Sequence, residues 1–330
     1  MRQIKNGYAT ETTLTAHLHA FRGAVYDENN KLVLESQRTR SGDNEWNPDD
    51  PEEIIRTADP LFLSGRSLYL GHYTGHYGHF LLETMSRFWI FLEDTEVSKK
   101  YDHFIFHPFL HKMPSPERYS PAKIAFECFG IDLAKIVFLN RPTAFEHISV
   151  PKPYFNINFS VDERMQLVYK KIQEYSVGLP SSNLGFVKRL LGWPKQGTLK
   201  IYLSRRKAKG YHPMRNETEV EKIFEDAGFK ILHPERWNFE QQLAVYQRAE
   251  IIAGVEGSAL HNSLFMKAGS KVISLGTPRV PSGVILNQNL CNSLSAIENR
   301  YIKFKGEVDA KNRAHYDVEH IRRELSRCLS

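Results

Sequence analysis

The sequence predicts an α/β protein in two lobes, and three observations carry that expectation. From Leu199 onward, short apolar runs alternate with segments of helical period without a break, the pattern of a right-handed parallel sheet. Within that half, Ile251 to Ala253 forms a strand-like run. It ends at a turn through Gly254, Gly257 and Ser258 and is followed by Ala259, Leu260, Leu264, Phe265 and Ala268 at core spacing. At 330 residues the chain is long enough for two cores rather than one.

The first half is less regular. Residues 18–36 alternate around Asp27–Asn30 and read as a hairpin, while residues 42–53 are acidic and proline-bearing, as in a surface loop. Strands are expected at 67–70, 104–106, 136–139 and 147–150, with helices near 122–129 and 162–176. Between them, Gly71, Gly75 and Gly78 break up a histidine-rich stretch. A helical pattern then runs from His79 to Leu92, apolar almost all round, with His79, Glu83, Ser86 and Arg87 on one narrow polar stripe. The Gly-, Pro- and Ser-rich stretch 177–198 places the domain boundary, with lobes of 1–178 and 179–330.

In the second half, strands are expected at 199–203, 229–232, 251–253 and 271–275. Asn216 with Glu219, and Asn238 with Gln241, read as capping boxes that open helices. The helix after Ser258 is expected to stop at Gly269. The tail, 316–329, is a basic amphipathic helix, expected to pack back on the first lobe or to touch a membrane face.

Composition narrows the function. A formal charge of +6 and a pI near 9.0 favour anionic partners, but the basic residues are dispersed and no nucleic-acid motif occurs. Three scattered cysteines without metal spacing suit reduced thiols in the cytoplasm. The opening residues have no apolar core, so a signal peptide is not expected, and Phe88–Leu92 is too short to span a bilayer.

In open parallel sheets ligands bind beyond the carboxyl ends of the strands. Ser204-Arg205-Arg206, Pro234-Glu235 and the Gly254–Ser258 turn all follow strands, so a diphosphate bound by guanidinium groups and a helix end fits there. Solvated surface charge is the alternative for Arg205 and Arg206. His261 and Asn262 reach a nucleotide or only cap the helix. His79 and Glu83 supply a general base or bond each other structurally, and the histidines at 72, 76 and 79 lack the carboxylates of a metal cluster. Trp46, Trp89, Trp193 and Trp237 are candidates for stacking on sugars, with core packing favoured for Trp89.

These residues carry a resemblance. Arg205-Arg206, Asn216-Glu217, Gly228-Phe229, Pro234-Glu235, Gln241 and Gly254 through Asn262 resemble the C-terminal motifs of glycosyltransferase family 61. The run Tyr77-Gly78-His79 … Glu83 … Arg87 is similar to the motif of that family's first half. The resemblance implies a GT-B-like architecture, two Rossmann-like lobes facing a central cleft, the first for the acceptor and the second for the donor. It implies inverting transfer from a nucleotide sugar to a glycan or lipid-linked glycan in capsular or lipopolysaccharide synthesis. It implies no cofactor, no essential metal and no nucleic acid, in a cytoplasmic protein touching the inner membrane face peripherally. Its catalytic candidates are His79, Glu83 and His76; its donor-site candidates are Arg205, Arg206, Asn216, Glu235, Gly254, Glu256, Gly257, Ser258, His261 and Asn262. Glu256 stands where the family has histidine, and Ser258 to His261 replaces A-G-L-T. A contact to sugar or ribose hydroxyls is the expected use of Glu256. A non-catalytic nucleotide-sugar or glycan-binding protein of the same fold is the alternative, and a histidine phosphohydrolase the third reading.

Overall fold

The computed structural model describes residues 1–14, 21–38, 50–109, 115–178, 185, 199–208, 214–279, 283–311 and 313–330. Trp46, most of the acidic loop, Trp193 and nearly all of the boundary stretch 179–198 lie outside the described residues. The chain divides into two compact units, Met1–Ile172 and Gln173–Ser330.

The first unit is built on a six-stranded mixed sheet. Its strands are β1 (Arg2–Ala9), β2 (Val25–Tyr26), β3 (Leu61–Tyr73), β4 (His103–Pro108), β5 (Ile136–Phe138) and β6 (Thr143–Val150), in the order β2-β1-β6-β3-β4-β5. The β6-β3-β4-β5 part is parallel, whereas β1 runs antiparallel to both β2 and β6. The turn at Asp27–Asn30 forms as expected, because the Asp27 carboxylate accepts from the Asn29 and Lys31 amides. The strand expected at Leu34 is instead a short 3-10 turn, Leu34–Ser36.

The helix expected from His79 to Leu92 is broken. It consists of α1 (Tyr77–Leu82), a 3-10 segment Thr84–Arg87 and a last turn Ile90–Glu93. Two hydroxyls account for the break: Thr84 Oγ1 donates to the His72 carbonyl at 2.8 Å and Ser86 Oγ to the Glu83 carbonyl at 2.6 Å. The Ser86 bond, to the carbonyl three residues back, competes with the helical ladder, while the Thr84 bond ties the segment to β3. Arg87 is buried here, donating to the Pro151 and Glu35 carbonyls, and a Cβ on Gly71 would sit 2.3 Å from its Nη1. Gly71 is therefore required by a close approach, with a φ of +92° that also favours glycine. Trp89 packs in the core, stacked on Tyr154. Two further helices, α2 (Ser120–Cys128) and α3 (Met165–Val177), fall where the sequence expects them.

The second unit holds a fully parallel five-stranded sheet: β7 (Lys200–Leu203), β8 (Lys230–Leu232), β9 (Ile251–Val255), β10 (Lys271–Leu275) and β11 (Glu298–Ile302). The order is β8-β7-β9-β10-β11. Alternate residues cover opposite faces: Tyr202, Ala253, Val255, Ile273 and Leu275 join one core cluster, and Ile201, Leu203, Ile252 and Val272 are buried on the other side. The helices are α4 (Glu217–Asp226), α5 (Phe239–Tyr246), α6 (Leu286–Leu294) and α7 (Val318–Leu329), with a hairpin of β12 (Gly306–Val308) and β13 (Ala314–Tyr316) before the last.

Three expectations are corrected. The capping box at Asn238 and Gln241 forms, but Asn216 makes no side-chain cap bond; its amide is taken by the Tyr316 backbone. The helix expected over 259–268 is a six-residue 3-10 segment, Leu260–Phe265. The tail helix does not spend its apolar face on the first lobe: Ile321 and Leu325 are buried in the second unit's own core beside Val220 and Phe224. Among the described residues no helix is long and apolar enough to cross a membrane.

Candidate functional site

The strand order β8-β7-β9-β10-β11 reverses direction between β7 and β9, which opens a crevice beyond their carboxyl ends. Leu203 and Val255 end those strands, so Ser204 to Arg206 and Glu256 to Ser258 form its two lips. Two buried glutamates set the first lip. Glu217 accepts from the Arg205 amide at 2.7 Å, and Glu221 accepts from Ser204 Oγ at 2.6 Å and from Arg206 Nε at 3.1 Å. Arg205 leans on the other lip: a Cβ added to Gly257, whose φ is +150°, would lie 3.3 Å from Arg205 Nη1. Arg206 has its charge committed to Glu221, at 3.0 Å, with its side chain 43% exposed.

The structure thus gathers Arg205, Gly257 and Ser258 at one rim, with Arg206 at its edge. Gly254 lies inside β9, against the Leu203 carbonyl. Glu235 is exposed on the turn after β8. Asn216 is buried as a clamp, donating to the Tyr316 carbonyl and accepting from its amide, each at 2.9 Å. His261 and Asn262 are buried beneath the turn, where His261 Nδ1 bonds Gln288 Oε1 at 2.9 Å and Asn262 Nδ2 donates to the Ala259 carbonyl. Gln288 was not singled out by the sequence, yet its amide also ties Leu260, Ser263 and Asn292 together. A six-residue 3-10 segment offers much less aligned dipole than the helix expected here, so the positive charge at the rim comes chiefly from Arg205.

Glu256 is only 7% exposed. Its Oε1 accepts from the Ile285 amide at 3.0 Å, and its Oε2 is buried without a partner. Burial raises the carboxyl from 4.5 to about 7, against the smaller pull of the Ile285 bond. It therefore changes charge near neutral pH.

In the first unit, α1 presents His79 and Glu83 one turn apart. Glu83 accepts at Oε1 from Arg38 Nε, at Oε2 from Arg38 Nη2 at 2.9 Å, and also meets His79 Nδ1 at Oε2. Burial alone would raise the Glu83 carboxyl, but Arg38 and His79 outweigh it and hold it at about 2. An ionised carboxylate on Nδ1 fixes that nitrogen as the donor and leaves Nε2 as the acceptor, the arrangement of an oriented general base. The His79 side chain is 32% exposed, with its ring stacked 6.4 Å from that of Phe109 and edge-on to that of the exposed His76, 4.8 Å away. Arg38 lies 45 residues upstream, with no local signal to mark it.

His72 is buried and stacks 5.4 Å from His107, whose ring takes up Tyr69 and the Thr10 carbonyl. Burial holds His72 well below 6.5 and His107 at about 4, so both are neutral core groups. Among the described residues no group of three or more His, Cys, Asp or Glu side chains is placed to hold a metal ion.

No curated protein matches the chain. A family model described as Glycosyltransferase 61 matches residues 77–273, from α1 with His79 and Glu83 to β10 beyond the Glu256 turn.

Proposed function

The chain belongs to glycosyltransferase family 61, and on that premise we propose that it moves a glycosyl group from a nucleotide-sugar donor to a glycan acceptor with inversion at the anomeric carbon. In this reading the acceptor hydroxyl oxygen attacks the anomeric carbon while His79 Nε2 takes its proton. The bond from that carbon to the diphosphate oxygen breaks, and the nucleoside diphosphate leaves. Arg205 meets the charge that develops on the leaving oxygen, and Glu83, itself held by Arg38, orients the imidazole through its Nδ1. A GT-B-like architecture and a place in capsular or lipopolysaccharide synthesis in the cytoplasm, with the acceptor glycan free or lipid-linked, belong to the same proposal and rest on the family.

The observation that carries the reading is the pairing of a strand-order reversal with a guanidinium laid across Gly257 at its mouth. Such a rim suits a diphosphate, because guanidinium forks match phosphoryl oxygens. With the leaving charge met by arginine, no divalent metal is required. The test is a transfer assay with a panel of nucleotide sugars in EDTA, with product stereochemistry read by NMR. Transfer with inversion in EDTA is expected. Turnover that appears only when Mn²⁺ is restored would overturn the metal-independent part. Nucleotide-sugar binding without any transfer would favour the binding-protein reading instead.

A further inference from the structure

At the other end of the parallel sheet lies a second cavity, of about 590 Å³, that the transfer reaction does not use. It lies at the amino ends of β7, β9 and β10, about 16 Å along the strands from the Gly257 rim. Four cationic side chains line it from four separate segments. Lys200 and Lys271 begin β7 and β10, and the register sets both in one row across Ile251, which begins β9. Arg248 comes from the turn before β9, and Lys267 from the turn before β10. One carboxylate, Glu250, is among the lining residues.

The four are not equally committed. Lys271 Nζ donates to the Cys328 carbonyl at 3.0 Å and lies 3.8 Å from Glu298, and Arg248 Nη1 donates to the Ala244 carbonyl. Lys200 sits over the Phe229 ring, and neither it nor Lys267 has a carboxylate within ion-pair distance among the described residues. A charge excess drawn from several elements into a concavity differs from a helical stripe of solvated lysines, since nothing in the periodicity of one element demands it. A neighbouring cavity of about 380 Å³ shares Arg248 and Lys267 and adds one carboxylate, Glu174, and Val177, which is 70% exposed. Cations beside an exposed aliphatic side chain match the interface of an anionic bilayer.

We propose that this cavity is a second anion site, taking the phosphate group of a lipid headgroup or of a soluble phosphate compound, independently of the donor rim. The test uses the full chain carrying Arg205→Ala, which removes the donor rim as a competing phosphate site, with and without Lys200→Ala and Lys267→Ala. Vesicles of equal parts phosphatidylglycerol and phosphatidylcholine, vesicles of phosphatidylcholine alone, and inorganic phosphate are titrated separately. A cation at an anionic membrane surface is worth roughly fivefold in partition, so the double lysine variant should lose about twenty-five-fold on the anionic vesicles. It should bind neutral vesicles no differently. Phosphate binding that is lost in the double variant, with no vesicle binding in either protein, would assign a soluble phosphate and leave the site standing. Binding of neither probe, or equal binding by the double variant, would overturn the site. Nucleotide titrations of the lysine variants in the Arg205 background of the native chain should be unchanged, which separates failure here from failure of the transferase reading.

Discussion

Replacing Glu256 with glutamine should stabilise the second unit above neutral pH and do little in acid. The carboxyl is raised by burial from 4.5 to about 7. Below pH 4.5 both folded and unfolded chains carry it protonated, and it exerts no pH-dependent effect. Between 4.5 and 7 the unfolded chain ionises while the folded one keeps its proton, so the folded state loses relative stability as pH rises. Above 7 both are ionised and the loss is complete. At about 1.4 kcal/mol per pH unit, the rise from 4.5 to about 7 costs ~3 kcal/mol in alkaline solution.

Glutamine keeps an oxygen to accept from the Ile285 amide and never ionises, so Glu256→Gln removes this cost. Thermal denaturation of both proteins across pH 4 to 8.5 checks it. The melting-temperature difference should open between pH 4.5 and 7 and level off at roughly 5–10 °C. A constant difference across that range, or a variant less stable than the parent at pH 8, would refute the reasoning.

Other substitutions probe the remaining parts of the candidate site. His79→Ala should lower turnover by about 10²- to 10⁴-fold with nucleotide affinity and melting temperature retained; unchanged turnover would move the base elsewhere. Glu83→Gln leaves the buried Arg38 guanidinium without its counter-charge and should cost ~3–5 kcal/mol in a denaturant titration, so a variant of parental stability would contradict the ion pair seen here. Arg205→Ala should weaken nucleotide binding about ten- to a hundred-fold by calorimetry. Arg206→Ala, whose charge Glu221 already holds at the surface, should cost no more than about fivefold, and equal losses in the two would show that Arg206 leaves Glu221 on binding.

What the sequence made legible follows the range of the interactions involved. Asn238 and Gln241 bond within one helical turn, and that capping box forms as the spacing predicts. Asn216 and Glu219 have the same spacing, but Tyr316, 100 residues away, competes for the Asn216 amide and wins. The amphipathic tail helix was legible from Ile321 and Leu325, whereas the core that would receive them was not, because period says nothing of destination. The unbroken helix over 79–92 failed on Thr84 and Ser86, two hydroxyls whose backbone bonds outweigh an apolar pattern. Four of the five parallel strands were legible one by one, and β11 was not. Their order, which places the reversal between β7 and β9 and so marks the rim, depends on pairings between strands far apart in the sequence.

The same long-range logic separates the two residues that the sequence left level as candidate bases. His79 and Glu83 share a polar stripe, and nothing in their spacing prefers one to the other. Arg38 decides between them. It donates to both oxygens of Glu83, and with His79 it holds the carboxyl at about 2, where proton uptake from a hydroxyl at neutral pH has little driving force. The same ionisation fixes the His79 Nδ1 proton, which directs the free lone pair of Nε2 outward from a ring that is one-third exposed. In the proposed reaction Glu83 is then the positioning residue and His79 the base. Acid should weaken this arrangement only at extreme pH: a carboxylate whose folded value is depressed to about 2 contributes stability that is complete above its ordinary value of 4.5 and is lost as pH falls through 2. Loss of transfer at pH 5 to 6 would accordingly not be charged to the collapse of the Arg38–Glu83 pair.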